Sequence, residues 1–156
     1  MKLTVNNLKD TELIGNIISR CLEKGTVICL DGDLGVGKTA LTQFIAKGFG
    51  VKEYITSPTF TIIKEYEGRT PLYHMDVYRI DSEEDMYDLG YDEYIYSEGV
   101  TIIEWSHKIK GILPEERIDI EIKRIDDTSR VLTIEGKGNN YDKLAEELKN
   151  YESISN

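Results

Sequence analysis

Residues 27–39 read VICLDGDLGVGKT, an apolar run followed by a glycine-rich loop that ends in Lys38 and Thr39. The loop, residues 32–39, fits the pattern G-x-x-x-x-G-K-[ST], which requires a strand before it and a helix after it. Its glycines let the backbone approach phosphate oxygens closely, and its N–H groups point at the anion. The stretch predicts a nucleoside triphosphate site. The simpler alternative is a glycine-rich turn ahead of an ordinary helix.

The chemistry of such a loop depends on its last two residues and on a distant acid. Lys38 supplies a movable positive charge for the β- and γ-phosphates, and the Thr39 hydroxyl is placed to bind Mg²⁺. A P-loop NTPase also needs an acidic residue at the end of a second strand to hold the hydrated metal. Residues 100–103, VTII, form a mostly apolar run that leads into Glu104. Glu104 is therefore the candidate acid, and a surface glutamate at a strand end is the alternative.

A second polar constellation lies between the loop and Glu104. His74, Asp76 and Tyr78 alternate with apolar residues, so on a strand they project from one face. Such a strand lies at a sheet edge or at a site. The alternative is the solvated face of a hairpin, with Arg79 in an ion pair.

Three more residues, Thr59, Trp105 and His107, lie in the segments before that strand and after Glu104. Pro58 keeps the preceding residue out of a helix, so Thr59 lies in a loop. That loop either reports the γ-phosphate through Mg²⁺, as switch loops do, or is a simple turn entering a strand. Trp105 is either core or partner-facing, and His107 is expected at the surface.

Composition and charge limit the class of protein. At 156 residues with 40% hydrophobic content, one folded domain is expected. The sequence has neither a membrane-length apolar stretch nor a signal-peptide apolar region, so a cytoplasmic location without a membrane is expected. The net charge of −10 argues against direct, tight binding of nucleic acid. Cys21 and Cys29 lack metal spacing and are expected as free thiols, Cys29 in the core.

Hydrophobic periodicity predicts alternating strands and helices. A first helix, capped by either Asn7 or Asp10, is predicted to run to about Lys24. Further helices are predicted over residues 38–49, 92–96 and 141–151, with a short acidic helix starting at 82–85. Strands are predicted over residues 2–5, 27–30, 60–66, 72–78, 100–103, 117–125 and 129–135. The predicted class is an α/β P-loop NTPase fold, a mixed sheet with a parallel core, antiparallel hairpins and helices on both faces. Residues 1–135 are expected to form the ATPase domain, and 136–156 a polar helical appendage of it that begins with a predicted linker, residues 136–140.

Four motifs occur in an order typical of one family. They are the loop at 32–39, Ser57-Pro58-Thr59-Phe60, His74-x-Asp76-x-Tyr78-Arg79 and Ile103-Glu104-Trp105. Together they resemble the TsaE (YjeE) family of bacterial P-loop ATPases, over roughly residues 3–135. The resemblance implies ATP hydrolysis with Mg²⁺ in making N6-threonylcarbamoyladenosine (t6A) at tRNA position 37. It implies TsaB and TsaD as partners, TsaD carrying the transfer chemistry, and only indirect contact with tRNA, which fits the acidic surface.

The same resemblance assigns roles to residues of this chain. Residues implied to bind phosphates are Asp33, Leu34, Gly35, Val36, Gly37, Lys38 and Thr39. Thr39 and Glu104 would hold Mg²⁺, with Asp76 beside the metal or the attacking water. Thr59 would belong to a first switch, and residues 74–79 to a second mobile region.

The nucleoside end of the site rests on three positions. The resemblance implies that Thr11 and Arg130 lie beside the base or sugar. Ala40 stands where family members often have a second threonine, so only its N–H remains for the α-phosphate.

Two other functions stay open from the residues alone. One is a small-metabolite kinase, although no arginine-rich lid segment follows the second strand. The other is a nucleotide-switched interaction protein without turnover. The sequence has no N-K-x-D guanine reader, but ATP and GTP are not distinguished.

Overall fold

The computed structural model describes residues 1–58 and 62–155, which are organised around a seven-stranded mixed sheet. Its strands are β1 (Lys2–Val5), β2 (Val27–Asp31), β3 (Ile63–Glu67), β4 (Pro71–Asp76), β5 (Val100–Glu104), β6 (Arg117–Arg124) and β7 (Arg130–Lys137). Its helices are α1 (Leu8–Cys21), α2 (Lys38–Gly48), α3 (Glu83–Asp88), α4 (Tyr91–Ile95) and α5 (Asn139–Ser155), with a 3₁₀ segment at Ser106–Ile112. Across the two described ranges, no helix is long and apolar enough to cross a membrane.

The strand order explains where a site can form. The order is β1-β7-β6-β2-β5-β4-β3. The four strands β6, β2, β5 and β4 run parallel, and antiparallel pairs with β7, β1 and β3 extend the sheet at both sides. The predicted fold class is confirmed. Because the core is parallel, the carboxyl ends of β2, β5 and β4 meet at one edge, which is where ligands bind in open α/β sheets.

Both faces of the central strands are covered. Ile28 and Leu30 of β2 belong to the larger core, which α1, α2 and α5 cover. Val27 and Cys29 point to the opposite core, which contains Met86 of α3 and residues of α4. This two-sided burial is the reason that β2 has a continuous apolar run rather than an alternating one.

Of the two predicted caps of helix α1, the structure shows Asn7, and the helix ends earlier than predicted. The Asn7 side chain accepts a hydrogen bond from the Asp10 N–H at 2.9 Å and caps the helix. The helix ends at Cys21, not near Lys24, because Leu22 has extended backbone (φ −76°, ψ 130°) and is buried. Gly25 lies in the turn that follows, with φ at +83°.

The C-terminal helix packs on the domain. Strand β7 continues to Lys137, past the predicted boundary at residue 135, and α5 begins at Asn139, inside the predicted linker. Leu144 and Leu148 of α5 are completely buried in the larger core. Through these two leucines, α5 packs against the rest of the domain. The division of the chain at residue 135 stays a prediction.

The two cysteines are free and buried, as expected. Burial raises the pKa of the Cys29 thiol to about 12, and it also raises the pKa of Cys21. Both thiols therefore pack as small apolar side chains.

Candidate active site

The loop between β2 and α2 forms an open cradle. Gly35 and Gly37 have φ values of +77° and +117°, in the region that side chains disfavour. A Cβ atom on either glycine would meet no other atom within 4 Å. The backbone conformation, not packing, therefore requires glycine here. The space beside these two glycines is open, and it adjoins the N-terminus of α2, whose N–H groups and dipole favour an anion.

Lys38 closes one side of this cradle. Its side chain donates to the Gly32 carbonyl at 2.5 Å and the Asp33 carbonyl at 3.0 Å, and its ammonium lies 4.1 Å from the centroid of the Trp105 ring. Burial lowers the pKa of Lys38, and the nearby carboxylates, led by Glu104, oppose that shift. A phosphate oxygen would replace neutral carbonyl partners with a stronger, charge-assisted one.

Glu104 is buried at the end of β5, with 2% of its surface exposed. Its Oε1 atom lies 3.5 Å from the Thr39 hydroxyl, and its Oε2 atom lies 2.5 Å from Nε2 of His74. The alternative of an ordinary surface glutamate is therefore wrong. A buried carboxylate needs such partners because its desolvation is costly.

The donor set fits magnesium. The Thr39 hydroxyl and the Glu104 carboxylate are hard oxygen donors, and Mg²⁺ is usually held by one or two carboxylates together with waters and substrate phosphates. Within residues 1–58 and 62–155, no cluster of three or more His, Cys, Asp or Glu side chains forms a protein-only cage. A metal here would depend on the nucleotide for much of its coordination.

Asp76 lies beside Glu104 at the same edge. The two residues are register partners on the parallel strands β4 and β5. Asp76 Oδ2 accepts a hydrogen bond from the Ser57 hydroxyl at 3.2 Å, and Oδ1 accepts one from the Tyr78 N–H at 3.0 Å. His74 is fully buried, so the alternative of a solvated hairpin face is wrong for this residue. Thr59, the predicted switch residue, lies outside the described residues.

Trp105 lines the site. It is a non-glycine residue in left-handed conformation, with φ at +63° and ψ at +32°. Its N–H donates to the Leu30 carbonyl at 3.0 Å, and its ring lies against Lys38 and against Tyr78, whose ring centroid is 4.8 Å away. The backbone bond to β2 and the two side-chain contacts hold this unfavourable turn.

Asp31, the last residue of β2, fixes the segment that follows Trp105. Its carboxylate accepts hydrogen bonds from the Ser106 hydroxyl at 2.5 Å and the His107 N–H at 3.1 Å, and it lies 2.7 Å from Nδ1 of His107. His107 is exposed, as predicted. The end of β2 is thereby linked to the segment after β5 by the Asp31 side chain, in addition to the pairing of the two strands in the sheet.

A cavity of about 490 Å³ lies on the other side of the loop. It brings together Thr11 of α1, Val36 and Ala40 of the loop and α2, and Arg130 of β7, with Asn7 and Thr128 beside them. Arg130 Nε donates to the Val36 carbonyl at 2.9 Å, which ties β7 to the loop. The cavity thus adjoins the loop at Gly35, Val36 and Gly37, and the three residues predicted for the nucleoside end, Thr11, Ala40 and Arg130, line it.

The side chains of two predicted loop residues face solvent. Leu34 is 84% exposed and Asp33 is also exposed, which leaves their backbone groups for the predicted phosphate contacts. Ser57 and Thr128 were missed as site residues, and Asn7 was identified only as a helix cap. A polar turn, residues 126–129, was the one signal in the sequence for Thr128.

Comparisons with known proteins agree with this geometry. A family model described as threonylcarbamoyl adenosine biosynthesis protein TsaE matches residues 5–132. Two curated proteins with high similarity are named tRNA threonylcarbamoyladenosine biosynthesis protein TsaE. The one from Bacillus subtilis is 46% identical, and the match covers 100% of this chain and 98% of that protein. The one from Treponema pallidum is 42% identical, and the match covers 86% of this chain and 99% of that protein. The crystal structure of YdiB from Bacillus subtilis superposes with a TM-score of 0.80 at 43% identity, covering 97% of this chain and 95% of that one. The chain belongs to the TsaE family.

Proposed function

We propose that the protein is a Mg²⁺-dependent ATPase required for t6A modification of tRNA adenosine 37, acting with the TsaB–TsaD threonylcarbamoyl transferase. One observation carries the ATPase part of the proposal. The phosphate cradle, Lys38, the partly buried Thr39 and the buried Glu104 lie at one sheet edge, beside a cavity of about 490 Å³. The t6A part rests on the family and on the names of the relatives.

Each residue has a chemical task in this proposal. Backbone N–H groups of the loop bind the phosphates, and Lys38 offsets charge that develops on the leaving group. Thr39 and Glu104 would hold Mg²⁺, which supplies further charge neutralisation at the β- and γ-phosphates. Asp76, held by Ser57, orients the attacking water.

We expect slow turnover by the protein alone. None of the hydrogen bonds or ion pairs of the described residues joins an arginine to Lys38, Thr39, Asp76 or Glu104. An arginine aimed at the transferring phosphoryl group accelerates related reactions greatly. A partner that completes the site would raise the rate.

The charge of the chain fits action through protein contacts. Acidic residues outnumber basic ones by 29 to 19. A strongly acidic surface repels the phosphate backbone, so contact with tRNA is indirect in this proposal. A protein with this role would work in the cytoplasm.

The test is phosphate release from ATP with and without the TsaB–TsaD pair, at fixed excess MgCl₂ and again in EDTA. We expect slow release alone, faster release with the pair, and none in EDTA. Equal, fast rates with and without the pair would contradict the proposal. Phosphate transferred to an added metabolite would favour a kinase, and ATP binding without release would favour a nucleotide switch.

A further inference from the structure

His74 is a polar residue at a position that burial would normally give to an apolar one. It lies in β4, two residues before Asp76, and none of its surface is exposed. Its Nε2 atom lies 2.5 Å from Oε2 of Glu104. Its other ring nitrogen, Nδ1, is buried and has no hydrogen-bond partner among the described residues.

The unpaired nitrogen argues against a purely structural role. A buried polar atom without a partner is destabilising, and an apolar side chain of similar volume would avoid that cost. Among the described residues, the polar contact of the His74 side chain is to the Glu104 carboxylate. The imidazole therefore acts on the rest of the molecule through that contact.

The contact divides the two oxygens of Glu104 between two tasks. An ionised carboxylate can only accept, so Oε2 accepts a hydrogen bond from Nε2 of His74, and Oε1 is left facing the Thr39 hydroxyl at 3.5 Å. A glutamate has three side-chain torsions, so a carboxylate without a fixed partner samples several orientations. Side chains that hydrogen-bond to a metal-binding carboxylate orient it, and their loss typically weakens metal binding 10- to 100-fold.

We infer that His74 is a positioning residue that holds the Glu104 carboxylate so that Oε1 faces Thr39 and the Mg²⁺ that these two residues would share. The inference rests on the proposed function, because it concerns the same metal. It adds a residue that acts without touching the metal or the nucleotide.

The experiment measures the gain in nucleotide affinity that Mg²⁺ provides. The dissociation constant of the non-hydrolysable ATP analogue AMP-PNP is measured calorimetrically in EDTA and in excess MgCl₂, and the ratio is the Mg²⁺ enhancement. In His74→Leu we expect the affinity in EDTA to be unchanged and the enhancement to fall about tenfold. An undiminished enhancement in this variant would overturn the inference.

Two amide variants keep the test valid if His74→Leu does not fold. In His74→Gln the amide nitrogen is as many bonds from Cα as Nε2 of histidine, so it reaches Glu104 and the enhancement is retained. In His74→Asn the side chain is one methylene too short, and the enhancement falls as in the leucine variant. Equal enhancements in these two variants, with both folded by thermal unfolding, would overturn the inference.

A control and a double variant separate positioning from general damage to the sheet. Thr101→Val removes a buried hydroxyl from the opposite face of the strand that ends at Glu104, and the Mg²⁺ enhancement of this variant should match the wild type.

In a Glu104→Ala background, His74→Leu should cause no further loss of the Mg²⁺ enhancement, because its effect passes through Glu104. A further tenfold loss there would contradict the inference. A wild-type protein without any Mg²⁺ enhancement would instead overturn the proposed function together with this inference.

Discussion

The two ends of the candidate site are assembled in different ways. The phosphate end, residues 32–39 with Asp76 and Glu104, rests on a contiguous loop and two adjacent strand ends. The base end is the cavity of Thr11, Ala40, Thr128 and Arg130, whose members come from three separate parts of the chain. The phosphate end contains the buried Lys38 and Glu104, whereas the base end is an open cavity whose one cation, Arg130, already donates hydrogen bonds to backbone carbonyls. The binding energy should therefore be concentrated at the phosphate end.

The largest effect is expected from removing the charge at the phosphate end. In Lys38→Ala the cradle loses the ammonium that would bind the β- and γ-phosphates, and ATP affinity should fall at least about 100-fold, the equivalent of roughly 3 kcal/mol. Calorimetric titration with ATP and with tripolyphosphate measures the two affinities, and both should fall. Lys47→Ala, an exposed lysine of the same helix, is the matched control. Unchanged affinity in Lys38→Ala would refute the assignment of the loop.

Removal of the buried acid should affect turnover more than binding. In Glu104→Ala the metal loses its protein carboxylate, and kcat for ATP should fall about 100-fold, the order seen when one electrostatic stabiliser is removed. Affinity for ATP in EDTA should remain within about twofold of the wild type. Single-turnover phosphate release measures the rate, and Glu98→Ala, at an exposed glutamate, is the control. Wild-type kcat in Glu104→Ala would show that the metal is held elsewhere.

The base end should give a smaller and more selective effect. Thr11→Val removes the hydroxyl that lines the cavity while keeping the shape of the side chain. ATP affinity should fall up to about tenfold, the range of one neutral hydrogen bond. Affinity for tripolyphosphate, which lacks a nucleoside, should not change. Thr4→Val, an exposed threonine of β1, serves as control. Parallel losses for both ligands would break the distinction between the two ends.

The smallest change is expected where the two ends meet. Ala40→Thr adds a hydroxyl in the first turn of α2, at the junction of the loop and the cavity. One added hydrogen bond to the α-phosphate should improve ATP affinity by a few-fold. Titrations with ATP, ADP and AMP measure the change, and the affinity for all three should rise equally because each has an α-phosphate. A gain confined to ATP would place the new contact farther along the phosphate chain.

Much of the phosphate end was predictable because its signals are local. The loop pattern depends on glycine conformation and on one lysine, and both are read directly from neighbouring residues. The strand ending at Glu104 was predicted because an apolar run stops at an acid. The contact between His74 and Glu104 was not predicted, since it depends on which strands pair and in which register. Alternation placed His74 and Asp76 on one face but left open whether that face was solvated.

The base end was predicted only through a family resemblance. Thr11 and Arg130 are separated by most of the chain, and no periodicity or spacing relates them. Ser57 was missed because its contact with Asp76 joins an irregular segment to a strand end. Helix α5 was expected to be peripheral because its composition is polar, and two leucines were enough to pack it into the core.

The sequence by itself determined the glycine-rich loop between a strand and a helix, the alternation of strands and helices and the parallel character of the central strands. These follow from backbone conformational preferences and from burial patterns of neighbouring residues. Only the tertiary structure decided that Glu104 lies buried between Thr39 and His74, that Lys38 rests on the loop carbonyls and the Trp105 ring, and that a cavity opens beside Arg130. Those contacts depend on strand order and register, because atoms far apart in the chain meet only after the sheet has formed.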